Sequence, residues 1–232
     1  MSAAHDAGLR AVVAAAGRWV DALGLAARPL PGALAELRAA QRPLTMRTRR
    51  WTGGAFAALT IAEIEDDAGA LCTATVIGLP AAGTLAPVVG VDLIALGGAL
   101  SLVAVDLTPA DPEFWRVHCE PRLAAMHAAV GEAAVPRRWP GFAVESFSPR
   151  ALIAGARRGG EEQVLAAVAG LLRGLPAVLA EAEGEPERAA AAAERVRGWL
   201  AAERRNRKEQ EALARLFGAE AAEAYLGEVF KE

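Results

Sequence analysis

A chain of 232 residues with 53% hydrophobic content has enough apolar side chains for one well-buried domain. Its formal net charge of -3 and 5% aromatic content exclude the strongly basic face and the stacking platform by which proteins bind nucleic acids. No run reaches the ~18 uninterrupted apolar residues of a membrane span, and His5, Asp6 and Arg10 break any signal-peptide pattern. The expectation is a cytoplasmic monomer with no membrane partner.

From Ala3 to Leu25, the residues Leu9, Val12, Val13, Ala16, Trp19, Val20 and Leu23 recur at helical spacing, and the Pro- and Gly-containing run 27–32 ends the pattern. Ala33 to Gln41 reads as a further turn or two of helix before Pro43. The middle third changes character. Leu44 to Trp51, Ala55 to Glu65, Ala70 to Leu79, Val88 to Leu96 and Leu100 to Leu107 are β-propensity runs, with tight turns at Asp66-Asp67-Ala68-Gly69 and Gly97-Gly98. They predict five consecutive antiparallel strands, and Ala151 to Ala154 a sixth. Helices follow at Asp111 to Val130, Glu161 to Glu183, Pro186 to Arg205 and Lys208 to Phe230. A block of strands between helices predicts an α+β fold, in one domain spanning residues 1–232, with helices on both faces of the sheet.

Several chemistries are missing from the sequence. Neither a dinucleotide-binding nor a P-loop glycine pattern occurs, and no G-x-S-x-G elbow supports a hydrolase. Cys72 and Cys119 are far apart, without C-x-x-C spacing, and read as buried free thiols. His118 and His127, nine residues apart on one predicted helix, point to opposite sides and form no shared metal site. No metal ligand set is predicted.

Two segments carry a family resemblance. The first is LPAAGTLAPVVGVDLIALGGALSLVAVDLTP from Leu79 to Pro109, and the second is NRKEQEALARLFGAEAAEAYLGEVF from Asn206 to Phe230. The Pro-apolar-apolar-Gly-x-Asp strand, the Asp-Leu-Thr-Pro close and the Phe-Gly…Tyr spacing resemble the ferredoxin-dependent bilin reductases. Trp139-Pro140 and Phe147-Ser148-Pro149 follow the same order more loosely. The resemblance implies a three-layer α/β/α sandwich with a central antiparallel sheet. The ligand, a linear tetrapyrrole such as biliverdin, would lie between the sheet and the C-terminal helices. Reduced ferredoxin would supply electrons, with no bound cofactor.

Asp92 interrupts the apolar strand Val88 to Ala95. A carboxylate against an apolar layer is discouraged from ionising, although from pattern alone it equally suits a wet sheet face. The resemblance assigns it proton donation to the tetrapyrrole. Counting back along the chain aligns Glu63 with the family's ligand-contacting strand glutamate, with Glu65 as competitor, and a solvated strand end accounts for either equally well. The same count puts Thr75 where several members carry a catalytic His or Asn, and Thr cannot relay protons at neutral pH. Glu63 and Thr75 share a face only if the loop between their strands has an odd number of residues.

Where most members have Asn-Asp, this chain has Asn206-Arg207. The family's helix aspartate is therefore missing, and Arg207 is a candidate partner for a bilin propionate, against a plain reading as a solvated helix residue. Asp106 reads as structural, closing the turn after its strand. Basic clusters at Arg47-Arg49-Arg50, Arg137-Arg138, Arg157-Arg158 and Arg204 to Lys208 suit steering of an acidic ferredoxin, or simple solubility. Two alternatives stay open: reduction of a different linear tetrapyrrole, as in red chlorophyll catabolite reductase, and bilin binding without reduction.

Overall fold

The structure, a computed structural model, describes residues 3–67, 69–139 and 141–231. Ala68 of the predicted tight turn and Pro140 of the Trp-Pro pair lie outside them. Helix α1 (Ala3–Ala22) opens the chain. A short strand β1 (Ala26–Ala27), a 3-10 turn (Gly32–Ala35) and strand β2 (Glu36–Arg38) follow. The expected turn or two of helix over Ala33 to Gln41 is thus a single 3-10 turn as far as Ala35, and a short strand follows it. One or two isolated helical turns are weakly stable, whereas the outer edge of the next strand offers ladder hydrogen bonds, and Leu37 is buried between exposed Glu36 and Arg38.

Five long strands then run consecutively: β3 (Leu44–Gly53), β4 (Phe56–Asp66), β5 (Leu71–Pro80), β6 (Val88–Leu96) and β7 (Ala99–Thr108). A helical stretch follows, consisting of α2 (Pro112–Phe114), a π-helical turn (Trp115–Cys119) and α3 (Glu120–Val130). Next come β8 (Ala134–Pro136), α4 (Gly141–Ser146) and β9 (Leu152–Ala156). The chain ends in α5 (Glu161–Leu179), α6 (Pro186–Glu203), α7 (Arg207–Phe217) and α8 (Ala219–Val229). The expected helix over Lys208 to Phe230 is broken at Gly218, whose φ of 93° belongs to neither helix and suits only a residue without a Cβ.

Among the described residues the sheet has nine strands in the order β1-β3-β4-β5-β6-β7-β9-β8, with β2 also on β3, and every pairing is antiparallel. Side chains alternate between its faces, and the two faces differ. On one, Leu59, Ile61, Val76, Val91, Leu93 and Val103 are no more than 2% exposed. This dry face packs under α1 and α5, with α3 beside α5. Trp19 of α1 stacks on Phe56 with ring centroids 5.8 Å apart and donates its indole N–H to Leu172 of α5 at 2.7 Å. Phe56 fits because β5 carries Gly78 beneath it; a Cβ there would stand 2.5 Å from the ring. Helix α5 has the length and apolar composition to cross a membrane, but Val164, Val168, Leu172 and Leu175 are buried in this core.

Helices α4, α6, α7 and α8 lie over the opposite face. Near one end of that face, Asp106 of β7 is 3% exposed and accepts hydrogen bonds from Thr108 Oγ1 at 2.6 Å, Ser148 N at 2.8 Å and Ser148 Oγ. It ties the end of β7 to the segment that leads into β9. Cys72 and Cys119 are free and buried. Asp106→Ala leaves the buried Ser148 N–H without its acceptor and should lower unfolding free energy by about 1–3 kcal/mol, measured by chemical denaturation.

Candidate active site on the half-covered sheet face

On the face opposite α1, the register sets Thr75 of β5 directly across from Asp92 of β6. Thr75 Oγ1 donates to Asp92 Oδ1 at 2.9 Å. Around this pair the sheet is incompletely covered: Thr73, Thr75, Ile77, Gly90, Asp92, Ile94, Leu102 and Ala104 are all half-buried, while their neighbours on the other face are dry. The result is a shallow groove across β5, β6 and β7, floored mostly by apolar side chains, with a carboxyl group at its centre. Toward β4 and β3 it runs under α7 and α8 into an enclosed space of about 50 Å³ bordered by Met46, Thr60, Thr75, Glu209, Leu213 and Tyr225. Tyr225 is 5% exposed, and its hydroxyl accepts a hydrogen bond from Thr48 Oγ1 at 3.2 Å, which docks α8 onto β3.

Burial pushes the Asp92 carboxyl above its ordinary value, and the Thr75 hydrogen bond offsets this in part. The group is inclined to hold a proton, as a desolvated acid next to a neutral donor should. A second carboxyl, missed by sequence reasoning, stands over it. Burial, and then the nearby Asp92 and Glu203 carboxyls, push Glu209 of α7 up to about 8. Glu209, Leu213, Leu216 and Phe217 occupy i, i+4, i+7 and i+8 of the helix, so a glutamate heads its apolar stripe. That pattern was the available signal. Glu203, at the end of α6, is buried and accepts from Asn206 Nδ2 at 3.2 Å; burial raises it, and the Asn206 hydrogen bond offsets this in part.

The other anticipated residues are distributed differently. The connection between β4 and β5, residues 67–70, has an even number of residues, so Glu63 pairs with Ala74 and points to the face opposite Thr75 and Asp92. There Glu63 pairs with Arg49 at 2.8 Å and Glu65 with Arg47 at 3.3 Å. Neither glutamate reaches the groove, and Glu63 is corrected from the anticipated ligand contact to a surface ion pair. Asn206 is buried against Glu203 behind the groove, and Arg207 is exposed at the start of α7 and does not border the enclosed space. The Arg47-Arg49-Arg50 run is no single basic patch: alternation sends Arg47 and Arg49 to their glutamate partners and Arg50 under α8.

The profile of the family described as ferredoxin-dependent bilin reductase matches residues 13–230. No curated protein matches the sequence. Among solved structures, phytochromobilin synthase from tomato in complex with biliverdin is similar in fold, with a TM-score of 0.76 at 12% identity over 94% of this chain and 81% of that one.

Folded Glu209 keeps its proton up to about pH 8, whereas the unfolded chain releases it near 4.5. The native state therefore loses stability as pH rises through that window. Glu209→Gln should remove this loss, stabilising the protein by roughly 4 kcal/mol at pH 8 and little at pH 4. Thermal melts across this range check it; a variant with the wild-type pH dependence would show that Glu209 is not buried as described.

Proposed function

The chain belongs to the ferredoxin-dependent bilin reductases, and from that membership together with the groove around Asp92 we propose that it reduces a linear tetrapyrrole of the biliverdin class. The observation that carries the reading is one half-covered, apolar sheet face with a desolvated carboxyl at its centre. A long conjugated ligand lies flat on such a surface and buries its rings against it, while a carboxyl held neutral beneath the rings is a proton donor at working pH.

Saturating one carbon–carbon double bond consumes two electrons and two protons. Reduced ferredoxin supplies the electrons singly from outside, and the chain's own groups supply the protons. Asp92 gives up one, with its Oδ1 position fixed by Thr75. Glu209, on the opposite wall, holds its proton up to about pH 8 and serves as the second donor, filling the role left open by Arg207. Apolar neighbours exclude water, so the carboxyls are the proton source at the ligand.

Ferredoxin docking is assigned to the α6–α7 turn. Arg205, Arg207 and Lys208 are exposed there, on the segment that carries Glu209. Arg137 and Arg157 lie at opposite ends of the β8–β9 pairing and make no common patch. We place the protein in the cytoplasm as a monomer.

Asp92→Asn preserves shape and the contact with Thr75 but supplies no proton. Biliverdin binding, followed by its absorbance change, should survive, while anaerobic turnover with saturating ferredoxin should fall about 100-fold or more. Undiminished turnover removes Asp92 as the acid, and binding without turnover in the wild type favours the non-reducing alternative.

Reversing charge at the proposed docking turn, Arg205→Glu with Lys208→Glu, should slow ferredoxin-driven reduction by about 10-fold at low salt. The two proteins should converge near 1 M salt, where the Debye length is roughly 3 Å. Equal rates at low salt would place the donor elsewhere.

A further inference from the structure

A second cavity, of about 220 Å³, lies on the same sheet face where α6 and α8 cross the ends of β4 and β5. Its floor includes Ala58 and Leu79, each two residues along its strand from Thr60 and Ile77 at the border of the first space. The two spaces are therefore neighbouring stretches of one face. Four cationic side chains line this cavity, Arg28, Arg50, Arg197 and Lys231, against one carboxylate, Glu228.

Arg50 is the unusual member. Its side chain is 6% exposed, and its Nε is buried without a hydrogen-bond partner among the described residues. Nη1 donates to the Glu228 backbone oxygen at 3.0 Å, and the Glu228 carboxylate stands 3.6 Å away while also pairing with Lys231 at 3.4 Å. One shared carboxylate thus leaves a buried guanidinium incompletely paired, a costly arrangement that an added anion relieves. Guanidinium prefers planar carboxylates, which it grips with two N–H groups.

We propose that the Arg50 cavity is a carboxylate-binding subsite that takes the propionate groups of a linear tetrapyrrole whose reacting end lies over Asp92. The assignment rests on the tetrapyrrole reading of the groove. Arg50 pairs with Thr60, Thr60 with Ile77 and Ile77 with Gly90, two residues before Asp92. Three strand spacings of ~4.8 Å and two residues of ~3.4 Å separate the two groups by about 16 Å along the face. The subsite therefore fixes which end of the ligand meets the acid: propionates toward β3, the ring to be reduced toward β6. Specificity for the position of reduction follows from this anchoring.

The test compares biliverdin with its dimethyl ester, which keeps the rings and removes both charges, on the wild type, on Arg50→Gln, and on Arg197→Ala combined with Lys231→Ala. Wild type should bind the diacid about 10-fold or more tighter than the ester. Arg50→Gln should abolish that preference while leaving ester affinity unchanged. The exposed double variant, which spares the buried arginine, should reduce the preference and guards against Arg50→Gln failing to fold. Equal affinity of diacid and ester for the wild type overturns the subsite and leaves the tetrapyrrole reading intact. If neither ligand binds, that reading falls, and the propionate assignment with it. Succinate supplies the remaining arm: if it stabilises wild type but not Arg50→Gln in thermal melts, and fails to compete with biliverdin, the cavity takes a separate small carboxylate and the propionate assignment is overturned.

Discussion

The carboxyl group of Asp92, set in the middle of a sheet face, constrains everything packed above it. A fully apolar face of this sheet would draw its helices down as tightly as α1 and α5 sit on the other side, where Leu59, Ile61 and Val76 are completely dry. Asp92 lies on this face between Gly90 and Ile94 and accepts from Thr75; closing the helices further onto a carboxyl that burial already disfavours in its charged form would add to that cost. The face stays half covered, α7 brings a glutamate over it, and burial favours the protonated form of both carboxyls, with the nearby Asp92 adding to it at Glu209. The stability lost here is offset by the opposite face, whose close-packed layer needs nothing from the groove.

Asp106 is a second buried carboxyl in a different setting. It lies on the same face as Asp92 and is also pushed upward by burial. Yet its oxygens are occupied by Ser148 and Thr108, in a contact that joins two chain segments. Its neighbours hold it as a fastener. Asp92 accepts from one neutral donor, Thr75, and has the groove in front of it.

The long strands could be read from the sequence because each alternates or is continuously apolar and is cut by Gly, Pro or Asp; Val88 to Leu96 begins and ends where expected. Short elements escaped. β2 and β8 have three residues each and exist only because a neighbouring edge accepts them, which no local pattern encodes. The site was legible only in part, for the same kind of reason. Asp92 and Thr75 meet across the seven-residue connection 81–87, in a register that no local pattern announces, whereas Glu63 depended on the parity of one four-residue loop and lost the groove by a single residue. Glu209 was legible as a charge heading an apolar stripe, but only the break at Gly218 shows which way that stripe faces. The orphaned Nε of Arg50 has no sequence signature at all; alternation separates it from Arg47 and Arg49, which look equivalent on paper.

The sheet's borders bear on how the molecule meets others. One margin is β8, three residues ending in Pro136, which has no N–H to offer; the other side of β3 is already taken up by β1 and β2, of two and three residues. Neither margin presents a long row of unpaired backbone groups, the template on which a foreign strand adds or copies of a chain stack into fibres. Recognition of any protein is thereby left to side chains on the helices and turns. Complexes built that way come apart readily when a few charges change, which suits a donor that must arrive, deliver a single electron and leave.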